Sequence, residues 1–214
     1  MPKLRLRISM SLDGFVAGPH QSVDNPLGIG GDRLHEWVIE LAVWRAEHGL
    51  PGGVVNANTA VLEEELANIG ATIMGRNMFG GHPGPWSATE PWQGWWGPNP
   101  PFHHPVFVLT HHARDPLALE GGTTFTFVTG GIEQALDQAR RAAGGKDVAL
   151  AGGAHAAREY LAAGLVDEMD IHLVPVLLGG GERMLEGIGD DLHGLRQVRA
   201  VVAPGVTHLK FARD

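Results

Sequence analysis

The 214-residue chain contains no cysteine, which excludes disulfides, thiolate metal sites and thiol nucleophiles. It is also poor in positive charge: 16 lysines and arginines against 24 acidic residues give a formal net charge of −8. That balance speaks against a nucleic-acid surface, where phosphates need clustered cations. It leaves room for a nucleotide held at one local basic site. No apolar run approaches the ~20 residues of a membrane-spanning helix. The first eight residues alternate charged and apolar types instead of forming a signal-peptide core. The expectation is a cytoplasmic enzyme or binding protein, with one domain over residues 1–214. What is abundant is glycine, at 31 residues, which points to many tight turns or close approaches of backbone to a ligand.

Period-two alternation predicts a first strand over 4–8, followed by a turn at Ser11-Leu12-Asp13-Gly14. Residues 18–31 read as a loop. Leu34, Trp37, Val38, Leu41 and Trp44 then fall at helical spacing, so a helix is expected over 33–47 with Asp32 as its cap. A second helix is expected over 59–68 and a short strand over 71–74. Residues 80–104 form a long loop carrying Trp86, Trp92, Trp95 and Trp96, which suits a pocket wall or lid and equally a surface-packed loop or an interface. Beyond it, strands over 105–110, 123–129, 147–151 and 168–176 alternate with helices over 132–143 and 155–163. Such alternation predicts an α/β fold with a mixed, mostly parallel central sheet flanked by helices. Residues 195–202 and 206–212, joined by Ala203-Pro204-Gly205, read as an antiparallel hairpin at the C-terminal end.

Ligands of open α/β sheets bind beyond the carboxyl ends of the strands, and four such ends carry suggestive residues. Gly75-Arg76-Asn77 offers backbone N–H groups and a guanidinium suited to phosphate. Gly152-Gly153-Ala154-His155 runs from a strand through two glycines into a helix. Thr110-His111 and Thr129-Gly130-Gly131 close two further strands. No G-x-G-x-x-G follows the first strand, so the dinucleotide fingerprint of the doubly wound fold is absent. Two carboxylates are catalytic candidates. Asp13 reads either as a residue that positions substrate or as the closing residue of an Asx turn. Asp32 reads either as an acid made protonatable by burial or as a helix cap. His103-His104 and His111-His112 are adjacent pairs whose members point to opposite faces of a strand, so no metal site is expected.

Ser11-Leu12-Asp13-Gly14-Phe15-Val16-Ala17, Met74-Gly75-Arg76, Ala151-Gly152-Gly153, Leu165-Val166-Asp167-Glu168 and Pro175-Val176-Leu177-Leu178-Gly179 follow one another in that order. Together, over about residues 3–188, they resemble the reductase domain of the bacterial riboflavin-pathway deaminase/reductase and the wider dihydrofolate reductase-like family. The resemblance implies a dihydrofolate reductase-like fold that binds NADPH, reduces a small, heterocyclic substrate by hydride transfer and forms a homodimer. It would place Val16 and Ala17 at the nicotinamide, and Gly75 and Arg76 at the cofactor phosphates with Asn77 nearby. Thr110 and His111 would flank the adenosine ribose and its 2′-phosphate, and Gly152, Gly153, Ala154 and His155 would hold the pyrophosphate. Two departures bear on substrate. Two helices are expected between Asp32 and Gly75 where dihydrofolate reductases usually have one, and Leu27-Gly28-Ile29-Gly30-Gly31 stands where the folate enzymes carry Asn-x-x-Pro-Trp. No deaminase-type zinc motif precedes the domain. The alternatives are a ribosylamino-pyrimidine reductase of riboflavin synthesis and a non-catalytic nucleotide- or drug-binding protein.

Overall fold

Alternation in β1 (Leu4–Ser11) sends Leu4, Leu6 and Met10 to one face of a sheet and Arg5, Arg7, Ser9 and Ser11 to the other. The structure, a computed structural model, describes residues 2–87, 89, 92–190 and 192–213. In chain order there follow β2 (Phe15–Ala17), a 3-10 turn (Gly31–Leu34), α1 (Glu36–Ile39), α2 (Ala42–Glu47), α3 (Ala57–Leu66), β3 (Ile69–Gly75) and α4 (Arg76–Phe79). Then come β4 (Pro105–Leu109), β5 (Leu117–Ala118), β6 (Thr124–Val128), α5 (Gly131–Ala142), β7 (Asp147–Gly152) and α6 (Ala154–Ala162). β8 (Glu168–Val174), β9 (Glu182–Arg183), β10 (Arg196–Ala203) and β11 (Val206–Ala212) complete the order.

Nine strands form one sheet in the order β10-β11-β8-β1-β7-β3-β4-β6-β5. The six from β8 to β6 run parallel, and the C-terminal hairpin adds two antiparallel strands against β8. The mixed, mostly parallel sheet and the hairpin are those the sequence predicts. A separate ribbon pairs β2 with β9, which no sequence pattern announced.

The sheet's two faces are covered differently. On the first, Ala135, Leu136 and Ala139 of α5 and Ala157, Tyr160 and Leu161 of α6 pack on Leu4, Leu6, Ile73, Leu150 and Met169. On the second, Leu34, Trp37, Leu41 and Leu62 cover the β8 and β11 side. Met74, Phe79, Val106, Val108, Phe125 and Phe127 meet Trp86, Trp92 and Trp96 of the long loop on the β4 and β6 side. The loop is thus an aromatic plug, pinned where Trp86 and Trp92 donate from Nε1 to the carbonyls of His112 and Phe79, both at 2.8 Å. Its Ala88, Glu90 and Pro91 lie outside the described residues.

The helix expected over 33–47 is three short pieces. The apolar spacing is correct, since Leu34, Trp37 and Leu41 all reach the core, but the backbone is extended at Leu41, with ψ 138°. Leu41 bridges to Val54, Ala42 donates to Val54 O, and Val54 donates to Glu40 O. These strand-like bonds replace the helical ones, and their partner is 13 residues away in sequence. Asp32 is no cap: it lies exposed inside the 3-10 turn, whose N-cap is Gly30. The helix expected over 59–68 begins earlier. Asn56 Oδ1 accepts from Asn58 N while Thr59 Oγ1 accepts from Asn56 N, a capping box that fixes the start of α3.

Candidate active site

Between the helical cover and the aromatic plug, a strip of the second sheet face is left open. It forms a cavity of about 1430 Å³ over β1, β7 and β3, floored by Arg7, Ser9, Thr72, Ala149 and Ala151. Alanines on β7 keep the floor low where neither cover reaches. The parallel strands all end at the same edge, so the Gly75, Leu109, Val128 and Gly152 ends meet there. Ten of the sequence candidates line this one cavity: Val16, Ala17, Gly75, Arg76, Asn77, Thr110, His111, Gly153, Ala154 and His155. Gly152 is the last residue of β7, directly before them.

The edge presents backbone donors of the kind that suit an anion. α5 and α6 start there with no side chain capping either N-terminus, so their first N–H groups and the partial positive charge of the helix are free for a ligand. A Cβ built at Gly131 or at Gly153 would meet no atom within 4 Å. Gly131 and Gly153 therefore border open space, whereas Gly130, the N-cap of α5, is packed against Gln134.

Arg76 and Arg114 both address Trp86, with Arg76 stacked 3.6 Å from the ring centroid and Arg114 at 5.0 Å. Arg76 also donates to His82 O at 2.8 Å, and Arg114 donates to Trp92 O. Burial and their mutual repulsion lower the Arg76 pKa, though it stays charged in any working buffer. Trp86 thus gathers the two cations, of which Arg76 lines the cavity and Arg114 does not. The Thr110 hydroxyl is committed to a local turn, accepting from His112 N at 3.1 Å. His111 and Asn77 are exposed, and His155 is exposed with Nε2 3.9 Å from Glu159.

Neither candidate carboxylate is among the cavity's lining residues. Asp13 accepts from Ser11 Oγ at 2.6 Å, from Gly179 N at 2.7 Å and from Leu178 N at 3.1 Å. The Ser11 hydroxyl first, and then these backbone donors, hold its pKa down to about 2. Such a group stays ionised and ties the turn after β1 to the Leu178-Gly179 turn. Asp32 is exposed, so the burial that would make it a proton donor is missing. Acid–base groups that do line the cavity went unnoticed in the sequence: Glu47, Glu65, His35 and His172. Glu65 closes the run Glu63-Glu64-Glu65, which reads as a solvated face, and only the depth of its side chain under α3 sets it apart. Among the described residues no three His, Asp or Glu side chains converge to hold a metal ion, and no helix is long and apolar enough to cross a membrane.

A family model described as the RibD C-terminal domain matches residues 2–208. No curated protein matches the chain. Among solved structures, a protein from Shewanella sp. PV-4 named for riboflavin biosynthesis superimposes with a TM-score of 0.60 at 20% identity, over 99% of both chains. A diaminohydroxyphosphoribosylaminopyrimidine deaminase/5-amino-6-(5-phosphoribosylamino)uracil reductase from Thermotoga maritima gives 0.57 at 13% identity. It matches over 100% of this chain, which spans 57% of the longer one. Dihydrofolate reductase from Enterococcus faecalis, complexed with NADP(H), gives 0.50 at 14% identity over 99% of this chain and 96% of that one. At such identities the likeness is one of fold.

Proposed function

The chain belongs to the RibD C-terminal domain family, and from that premise we propose that it is an NADPH-dependent reductase acting on a C=N or C=O bond of a small, heterocyclic substrate. The oxidoreductase class follows from the family. The cofactor and the kind of substrate are the proposal. One observation carries it: two uncapped helix N-termini, at α5 and α6, open beside glycines that border empty space at a single sheet edge. Backbone N–H groups of Gly131, Gly153 and Ala154 would hold the pyrophosphate. Arg76, with Arg114 beside it, would meet the 2′-phosphate. Val16 and Ala17, buried in β2, would form the apolar wall against the nicotinamide. When bound, NADPH supplies the hydride. The protein contributes orientation and a partly dry trough, in which a flat ring fits between the Ala149-Ala151 floor and the aromatic plug.

The test is NADPH oxidation, followed by absorbance, with a panel of dihydrofolate, 5-amino-6-(5-phosphoribosylamino)uracil, cyclic imines and aryl ketones. Turnover of at least one compound, lost in the Gly153→Val variant, is expected. Tight NADPH binding with every compound silent would make the protein a nucleotide-binding relative that does not catalyse.

A further inference from the structure

At the α3 side of the trough, four polar side chains form a buried chain. Glu65 and Asn58 come from α3, His172 from β8 and His208 from β11, and each is 4% exposed or less. His172 Nε2 stands 3.3 Å from Glu65 Oε2, His172 Nδ1 lies 2.8 Å from His208 Nδ1, and His208 Nε2 lies 2.8 Å from Asn58 Oδ1. Trp37 seals the two imidazoles, with ring centroids 4.7 and 5.0 Å away. Glu65 and His172 both line the cavity, and neither oxygen of Glu65 has a straight hydrogen-bond donor among the described residues.

The protons in this chain can be counted. Asn58 Nδ2 donates to Pro204 O at 3.2 Å, so its oxygen faces His208, and His208 Nε2 must carry a hydrogen. Burial, and then the charge of His172, hold His208 down to about 4, so its ring is neutral and its Nδ1 accepts. The hydrogen between the two imidazoles therefore sits on His172 Nδ1. That leaves His172 Nε2 opposite the Glu65 carboxylate. Two lone pairs 3.3 Å apart in a buried site would repel without compensation, so one of the two atoms carries a proton, although no hydrogen bond is aligned between them. The pair is either imidazolium with carboxylate or imidazole with carboxylic acid.

We propose that Glu65 and His172, through the single proton they share, are the proton source of the reduction; this rests on the reductase reading above. Hydride reaches the carbon of the C=N or C=O bond, and the π pair moves to the heteroatom. That atom takes the shared proton by way of a water in the trough, because the Glu65 oxygens and the His172 ring are themselves almost wholly buried. The pair is left as carboxylate and neutral imidazole, and a proton from solvent in the open trough restores it. The charged and titratable groups that face the pair set its poise. Arg7 on β1 and Arg199 on β10 favour the ionised carboxylate, Asp170 on β8 opposes it, and His35 acts on His172. Lys210 on β11 is engaged with Asp170 at 3.4 Å.

The first test needs no substrate. Nitrogen-15 imidazole correlation spectra and carbon-13 spectra of the Glu65 carboxyl are recorded on the whole protein near neutral pH. His208 should show hydrogen on Nε2 alone and His172 hydrogen on Nδ1, and one further proton should appear on either His172 Nε2 or Glu65. In Glu65→Gln that further proton should be gone, leaving His172 Nε2 without hydrogen. A bare His172 Nε2 beside an ionised Glu65 in the wild type, or a hydrogen that stays on His172 Nε2 in Glu65→Gln, overturns the proposal. The second test uses the panel compound that is turned over fastest. Glu65→Gln should cut kcat roughly 100-fold or more, with the NADPH dissociation constant unchanged. Glu65→Asp should recover part of the loss and shift the pH profile. A kcat within about twofold of wild type overturns the proton-source role. A shared proton seen by resonance with every compound silent overturns the reductase reading instead, and with it the role assigned to the pair.

Discussion

Asp13 accepts from a hydroxyl and two backbone amides, and those contacts decide what its carboxylate is for. Because its folded pKa is depressed from 3.8 to about 2, it stabilises the fold above about pH 4, and that contribution is lost as pH falls toward 2. Asp13→Asn should therefore melt lower near neutral pH, with the gap to wild type closing at low pH. Thermal melts across that range check it. His208 and His104 behave oppositely in charge but alike in direction. Burial, foremost, holds both down to about 4 from 6.5. Between about pH 6.5 and 4 the unfolded chain binds more protons than the folded one, so stability falls as pH drops through that window. His208→Asn should flatten the decline. At this scale the meeting of Gly75-Arg76 with Gly152-Gly153 is legible in the sequence, because they sit at strand ends where chain direction alone brings them together; their place against a cofactor is the proposal. Glu65 and His172 are not, since only packing under α3 and Trp37 separates them from other acids and histidines.

Elements test the account through their ends. Gly153 borders open space, so Gly153→Val should leave the melting temperature within a few degrees of wild type, roughly a 1 kcal/mol effect, and abolish NADPH binding. A large loss of stability with binding intact would make these glycines structural. Gly28 has φ +72°, and a Cβ there would lie 2.1 Å from Gly18 O. Gly18 N donates to Leu27 O and Ile29 N to Pro19 O, both at 2.8 Å. Gly28→Ala should therefore unpick the 18–31 loop beside Ala17, melting lower and weakening binding together. Strand positions are legible because alternation and β-branched runs are local signals. The break at Leu41 is not, because it depends on hydrogen bonds to Val54 that no helical periodicity contains.

At the scale of the whole molecule, the trough exists because α1–α3 and the Trp loop each cover only part of one sheet face. The sequence shows both segments and their apolar residues, but not the gap between them, which is set by how far each cover reaches. The homodimer is a proposal at this scale. Val198 and Val202 on the terminal strand β10 are exposed, and an uncovered sheet edge favours association. Light scattering at micromolar concentration should give twice the chain mass, and a monomer mass would refute it. The measurement that bears most directly on the central claim is calorimetric titration of the protein with NADPH and with NADH. A charge-assisted contact from Arg76 to the 2′-phosphate, worth roughly 1.5–3 kcal/mol, predicts saturable NADPH binding at least about tenfold tighter than NADH. Absent heat with both nucleotides, or equal dissociation constants, would contradict it.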